Sequence, residues 1–159
     1  MELYILRHGI AEDEKPGQRD SERPLTDDGR KKLRDVLRVA ERAGLNPDLM
    51  ISSPYLRAVQ TAEVAKDVLR YKGTLSQTPA LIPSSEAATV WQEVRTHRDA
   101  SSIILVGHEP LLSQVVGYML GAPALQVDLK KAAIVRIDLD NFGAHPRGVL
   151  KWMLTPKLV

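Results

Sequence analysis

Three short apolar runs in this sequence each end in residues equipped for chemistry. Glu2-Leu3-Tyr4-Ile5-Leu6 runs directly into Arg7-His8-Gly9. Asp48-Leu49-Met50-Ile51-Ser52 runs into Ser53-Pro54, with Arg57 about one helical turn further on. Ser102-Ile103-Ile104-Leu105-Val106 runs into Gly107-His108-Glu109. Two guanidinium groups and two imidazoles, gathered beside helix N-termini, form a place where an oxyanion fits. The chemistry best served is phosphoryl transfer, in which charge spreads over three equatorial oxygens and fixed cations stabilise it. Arg7 and Arg57 each offer a fork of donors. One imidazole can donate to a remaining oxygen, and the other, if neutral, can attack phosphorus and carry it as phosphohistidine. A free histidine titrates near pH ~6.5, so a neutral nucleophile at working pH is reasonable, and burial among cations favours it. The list of nucleophiles is short, because the chain has no cysteine and only four histidines: His8, His97, His108 and His145.

The elements that must position these residues follow from apolar spacing. Strands are expected at 2–6, 48–52 and 102–107. Thr26 caps a helix with Asp27 and Asp28 in its first turn and Leu33, Val36, Leu37, Ala40 and Ala43 on one face, stopping at Gly44. Ser53-Pro54 reads as a cap and first helical position, followed by a stripe of Ala58, Val59, Ala62, Ala65, Val68 and Leu69. Ser84 or Ser85 caps a third helix to about residue 98 with Val90, Trp91 and Val94 inward, and Pro110 opens a fourth with Leu111, Leu112, Val115, Val116, Met119 and Leu120. Residues 10–24 and 72–83 are expected to be loops. Residues 132–139 and 148–154 read as a C-terminal hairpin. Strands alternating with helices predict a three-layer α/β/α sandwich with a mostly parallel central sheet, in a single domain spanning 1–159. In such a sheet, ligands bind beyond the carboxyl ends of the strands, so Arg7, His8, Arg57 and His108 should converge.

Composition narrows the alternatives. The 159 residues carry a net charge of +2, and each half, 1–80 and 81–159, carries +1, which argues against a dedicated nucleic-acid binder. The absence of cysteine excludes disulfides, thiolate metal sites and a thiol phosphatase mechanism. No apolar run approaches the roughly 20 residues needed to span a bilayer. The N-terminus has no basic region ahead of a long apolar stretch, so the expectation is a cytoplasmic protein with no membrane partner. The basic run Arg30-Lys31-Lys32-Arg34 is interleaved with Asp27, Asp28, Asp35 and Glu41 and reads as a solvated helix face. His97 and His145 read as structural or solvent-facing, and Trp91 and Trp152 as packing residues. A metal pair at His108-Glu109 would lack further ligands, since adjacent strand residues point apart and no His-x-x-x-His supports it.

Four ordered blocks carry a resemblance. Leu6-Arg7-His8-Gly9, Arg23-Pro24-Leu25-Thr26-x-x-Gly29, Ser52-Ser53-Pro54-Tyr55-Leu56-Arg57-Ala58-x-Gln60-Thr61-Ala62 and Val106-Gly107-His108-Glu109-Pro110 together resemble the histidine phosphatase (phosphoglycerate mutase-like) superfamily and its RHG motif. The short chain and the Arg-Pro-Leu-Thr block are most similar to its SixA-type phosphohistidine phosphatase branch. The resemblance implies that His8 is the transiently phosphorylated nucleophile and that Arg7, Arg57 and His108 hold the phosphoryl oxygens. It gives Gly9 and Arg23 a place in substrate binding, and it implies no metal and no cofactor.

Many members of the superfamily also carry an acid that protonates the leaving oxygen. Here the candidates are Glu86, near the start of the third helix, and Glu109; Glu93 lies further along that helix. None matches a clear pattern, as in the SixA-like branch. A phosphohistidine substrate needs less help, because its P–N bond is labile and its imidazole can leave already protonated. With little chain left for a lid beyond 10–24, an open site favours a phosphate presented on a protein, such as a phosphorelay domain. The alternatives are a small-molecule phosphomonoester phosphatase or mutase of the same superfamily, and a non-catalytic phosphoprotein-binding module. Oligomeric state is left open, with a monomer the simpler expectation.

Overall fold

The computed structural model describes residues 1–159. Six strands form one sheet: β1 (Glu2–Arg7), β2 (Leu49–Ser52), β3 (Leu75–Gln77), β4 (Ser102–Gly107), β5 (Ile134–Asp138) and β6 (Val149–Leu154). Their order is β3-β2-β4-β1-β5-β6. The first four are parallel; β5 runs antiparallel to β1, and β6 antiparallel to β5. Helices α1 (Asp27–Arg42), α2 (Leu56–Val68), α3 (Ala87–Thr96) and α4 (Leu111–Met119) cover both faces.

The two-residue repeat of a strand decides which face each side chain serves. On β1, Leu3 and Ile5 join Ile103 and Leu105 of β4 in a core beneath α3 and α4, with Trp91 wholly buried. Tyr4 and Leu6 join Ile104 and Val106 in the opposite core beneath α1 and α2, with Leu33, Val36 and Leu37. Strands buried on both faces read as unbroken apolar runs, which is why β1 and β4 were conspicuous in the sequence. This is the expected three-layer sandwich with its C-terminal hairpin. No helix is long and apolar enough to cross a membrane.

Several local expectations need correction. The 72–83 segment is not all loop: Leu75–Gln77 adds a three-residue edge strand beside β2, followed by a 3-10 turn at Pro79–Leu81. Leu75-Ser76-Gln77 is too short and too polar to announce itself by period. Neither Ser84 nor Ser85 caps α3; Glu86 is its N-cap residue. Helix α2 begins at Leu56 with Tyr55 at its N-cap, because Ser53 and Pro54 are used in a turn. The Ser53 hydroxyl accepts from the Tyr55 N–H at 3.2 Å. The Thr26 cap is as expected, its side chain accepting from the Gly29 N–H at 2.9 Å.

Gly29 shows how α1 locks onto the segment that follows His8. A β-carbon at this position would collide with the backbone oxygen of Ile10 and lie 2.9 Å from its nitrogen. In an exposed helix a Gly→Ala change gains about 1 kcal/mol. Here the sign should reverse: Gly29→Ala is expected to cost roughly 2 kcal/mol, measured by urea unfolding, because backbone must move to admit the methyl. A stabilised variant would show that α1 and the Gly9–Ile10 segment are not tightly apposed.

Candidate active site

Parallel pairing sets Arg7 opposite Gly107, so the residues just beyond, His8 and His108, leave neighbouring strand ends side by side. The His8 N–H donates to the Gly107 carbonyl at 3.0 Å. The ring centroids are 5.1 Å apart, and the side chains are almost wholly buried, with exposures of 5% and 1%. Arg57, in the first turn of α2, is 4% exposed and reaches across from the third strand end. Its Nε donates to His8 Nε2 at 3.3 Å.

These contacts specify the state of the nucleophile candidate. His8 Nδ1 lies 2.6 Å from the Gly9 carbonyl oxygen. A carbonyl can only accept, so Nδ1 carries the proton and Nε2 presents its lone pair. Burial drives the His8 pKa down to about 3; Arg57, Arg7 and Lys131 push the same way, while the Gly9 hydrogen bond opposes them. His108 is also lowered to about 3, first by burial and then by His8 and Arg57. Both imidazoles are therefore neutral at physiological pH.

His108 Nε2 lies 2.8 Å from Ser53 Oγ. With that hydroxyl donating, the His108 proton sits on Nδ1, a buried atom with no partner in the protein. Arg7 Nε is likewise buried and unpartnered, although Nη1 of the same group donates to the Leu129 carbonyl at 2.8 Å. Buried polar atoms are nearly always satisfied, so the free Arg7 Nε–H and the unpartnered His108 Nδ1, beside a neutral Nε2, mark a place shaped for an anion with several oxygens. Tyr55 closes the third side, its ring centroid 5.1 Å from that of His108 and 5.2 Å from the Arg57 guanidinium carbon.

Of the other residues singled out from the sequence, Gly9 adjoins His8, and its N–H donates to Thr61 Oγ1 at 3.1 Å. Arg23 reaches the site indirectly. Its Nε donates to Asp20 Oδ1 at 2.8 Å, while Asp20 Oδ2 and its carbonyl accept from Arg57 Nη2 and Nη1 at 3.0 and 2.8 Å. Glu109 Oε1 accepts from the Ser113 N–H at 2.7 Å, tying it to the start of α4, although its charge is felt at Arg7. Glu86 makes no hydrogen bond or ion pair with His8, Arg7, Arg57 or His108, and Glu93 pairs with His97 at 3.4 Å.

Sequence reasoning missed Asp20. Burial acts to raise its carboxyl, but hydrogen bonds from Arg23 and Arg57 outweigh that and hold it below the ordinary carboxylate range. Its placement depends on a 3-10 turn at Asp20–Glu22 inside a loop without periodicity. Ser53, expected as a helix cap, instead contacts Tyr55 and His108, and sequence reasoning assigned Gln60 and Thr61 no task. Gln60 Oε1 accepts from the Leu25 N–H at 2.8 Å, and Thr61 links Arg57 and Gly9 through its hydroxyl. Polar residues on the buried side of a helix were the available signal.

Residues 3–82 match the histidine phosphatase superfamily (branch 1). This chain belongs to that superfamily. Within the superfamily it is 27% identical to the phosphohistidine phosphatase SixA of Escherichia coli (strain K12), over 98% of this chain and 94% of that protein. An uncharacterized protein of Picosynechococcus sp. is 34% identical, over 99% of this chain and 98% of that one. The fold superposes on the protein histidine phosphatase SixA complexed with tungstate, with a TM-score of 0.89, 25% identity and 99% of both chains covered. The histidine phosphatase resemblance carried by the four sequence blocks is thereby shown, and the likeness is SixA-like along the whole chain.

Proposed function

We propose that this protein is a phosphatase that removes phosphate from phosphohistidine in proteins, through a phosphohistidine intermediate on His8. The observation that carries the reading is the neutral, proton-free Nε2 of His8 set among Arg57, Arg7 and the unpartnered His108 Nδ1. His8 Nε2 forms a bond to phosphorus as the substrate P–N bond breaks, and the substrate imidazole leaves with its proton. Arg7, Arg57 and His108 stabilise the charge on the equatorial oxygens. Water then forms the O–P bond and releases a proton, the P–Nε2 bond breaks, and phosphate leaves with His8 neutral again. Gly9 and Arg23 support binding, Arg23 through Asp20.

The carboxylates favour this substrate class. Asp20 is held ionised by two arginines, Glu109 is engaged at the α4 terminus, and Glu86 makes no bond to the cluster. A leaving imidazole that arrives protonated makes the smallest demand on such a site. The relative named as a phosphohistidine phosphatase, and the one holding tungstate, a tetrahedral oxyanion, support the same reading. The proposed setting is the cytoplasm, with a phosphohistidine-bearing protein, such as a phosphorelay domain, as partner.

The test compares phosphate release from phosphohistidine peptides, phosphoserine peptides and sugar phosphates. Quenched samples are then examined for phosphate on His8 that survives alkali and is lost in acid. Phosphohistidine should be hydrolysed fastest with His8 labelled. Preference for a sugar phosphate would move the protein to small-molecule chemistry, and binding without release would make it a recognition module.

A further inference from the structure

Beside the site lies a cleft of about 650 Å³ whose wall is shared through Arg7. Its other charged lining residues are all lysines: Lys32 from α1, Lys130 and Lys131 from the turn before β5, and Lys157 near the C-terminus. No acidic residue lines it. Lys32 and Lys130 are each paired with a carboxylate at 2.9 Å, to Asp28 and Asp128, whereas Lys131 and Lys157 have no carboxylate partner.

The lysine turn is built into the site. The Arg7 N–H donates to the Ala133 carbonyl at 3.0 Å, and the Ala132 N–H donates to the His8 carbonyl at 3.0 Å. Arg7 Nη1 grips the Leu129 carbonyl at 2.8 Å. Ala132 adopts φ 62°, left-handed backbone that a residue with a β-carbon rarely takes. Such a conformation persists only where its surroundings impose it, and it often marks function. The turn thus carries an unpaired Lys131 beside His8, where its charge is already felt.

We propose that this cleft docks an acidic surface of the phosphohistidine-bearing protein, with Lys131 and Lys157 as the specificity-determining contacts. The inference rests on the function proposed above. Lysine ammonium groups are flexible point charges rather than forks, suited to a scatter of carboxylates more than to one phosphate. The lining holds no aromatic side chain on which a base could stack, which favours polypeptide over nucleic acid. Complementary charge of this kind speeds encounter and selects partners.

The first test measures binding of an unphosphorylated polyglutamate peptide to the wild type, to Lys131→Glu/Lys157→Glu, and to Lys72→Glu. Lys72 is exposed and outside the cleft, so it matches the sign of the charge change. The wild type should bind in a salt-sensitive way, the double variant roughly tenfold more weakly, and the control as the wild type. Lys157→Gln serves if the double variant does not fold. No binding by the wild type, equal binding by the variants, or tighter binding of an oligonucleotide of equal charge overturns the proposal. The second test compares hydrolysis of phosphohistidine peptides flanked by glutamate or by serine. The preference for glutamate should vanish in the double variant. If neither peptide is hydrolysed, the function proposed above fails, while the polyglutamate measurement still judges the cleft.

Discussion

On the proposed mechanism, replacing His8 with alanine should lower turnover by at least about 10⁴-fold, the scale on which removing a covalent nucleophile acts. His108 is the only other imidazole in the cluster, and its Nε2 faces Ser53 Oγ at 2.8 Å rather than Arg57. The fold should survive at pH 7, because the backbone of residue 8 keeps its bonds to Gly107 and Ala132. Phosphate release and a thermal melt, run together, separate the two effects. The comparison is His108→Ala, which removes an oxyanion donor and should cost roughly 10²–10³-fold. If His8→Ala keeps a tenth of the wild-type rate, the covalent mechanism is wrong. If both variants lose the same amount, the assignment of nucleophile and donor is wrong.

Acid should weaken the protein before its carboxylates matter. His8 and His108 are each lowered to about 3 in the folded protein, against about 6.5 in an unfolded chain. Below pH 6.5 the unfolded chain therefore binds two protons that the folded protein refuses. Stability is full above that value and falls as pH drops toward 3. Between pH 7 and pH 5 the two residues together cost about 4 kcal/mol, a large share of the 5–15 kcal/mol typical of a domain. Urea midpoints at pH 7, 6 and 5 measure it, and His8→Gln/His108→Gln should flatten the slope. A wild-type midpoint unchanged from pH 7 to pH 5 would mean that the two rings are not buried neutral.

The sequence made some of this site plain and hid the rest for physical reasons. Arg7, His8 and His108 were visible because strands buried on both faces leave little room for polar residues, which then stand out at the strand ends. Arg57 was visible because a guanidinium one turn past a strand end falls near its neighbours' ends. Asp20 was hidden because it belongs to a loop, where side-chain direction follows one 3-10 turn rather than a repeat. The α2 boundary slipped because Ser53 serves His108 and Tyr55 instead of capping the helix. The lysine cleft was beyond reach because its lysines come from three separate stretches, and whole-chain charge averages them away. The expected acids, Glu86 and Glu109, were carried by position alone. Hydrogen bonding ties Glu109 to the start of α4 and gives Glu86 no link to the cluster.

The strand order also bears on how the molecule is made. β1 is synthesised first yet lies between β4 and β5, with Glu2 paired to Ser102 on one side and Asp138 on the other. Emerging from a ribosome, this apolar strand has neither neighbour until most of the chain exists. Pairings of such long sequence separation place folding in the slow regime set by loop closure. His8 therefore waits, attached to an unpartnered strand, until His108 and the turn after Leu129 arrive. The proposed nucleophile can become competent only near the end of synthesis, and a chain truncated before β5 should yield an exposed apolar strand rather than a weakened phosphatase.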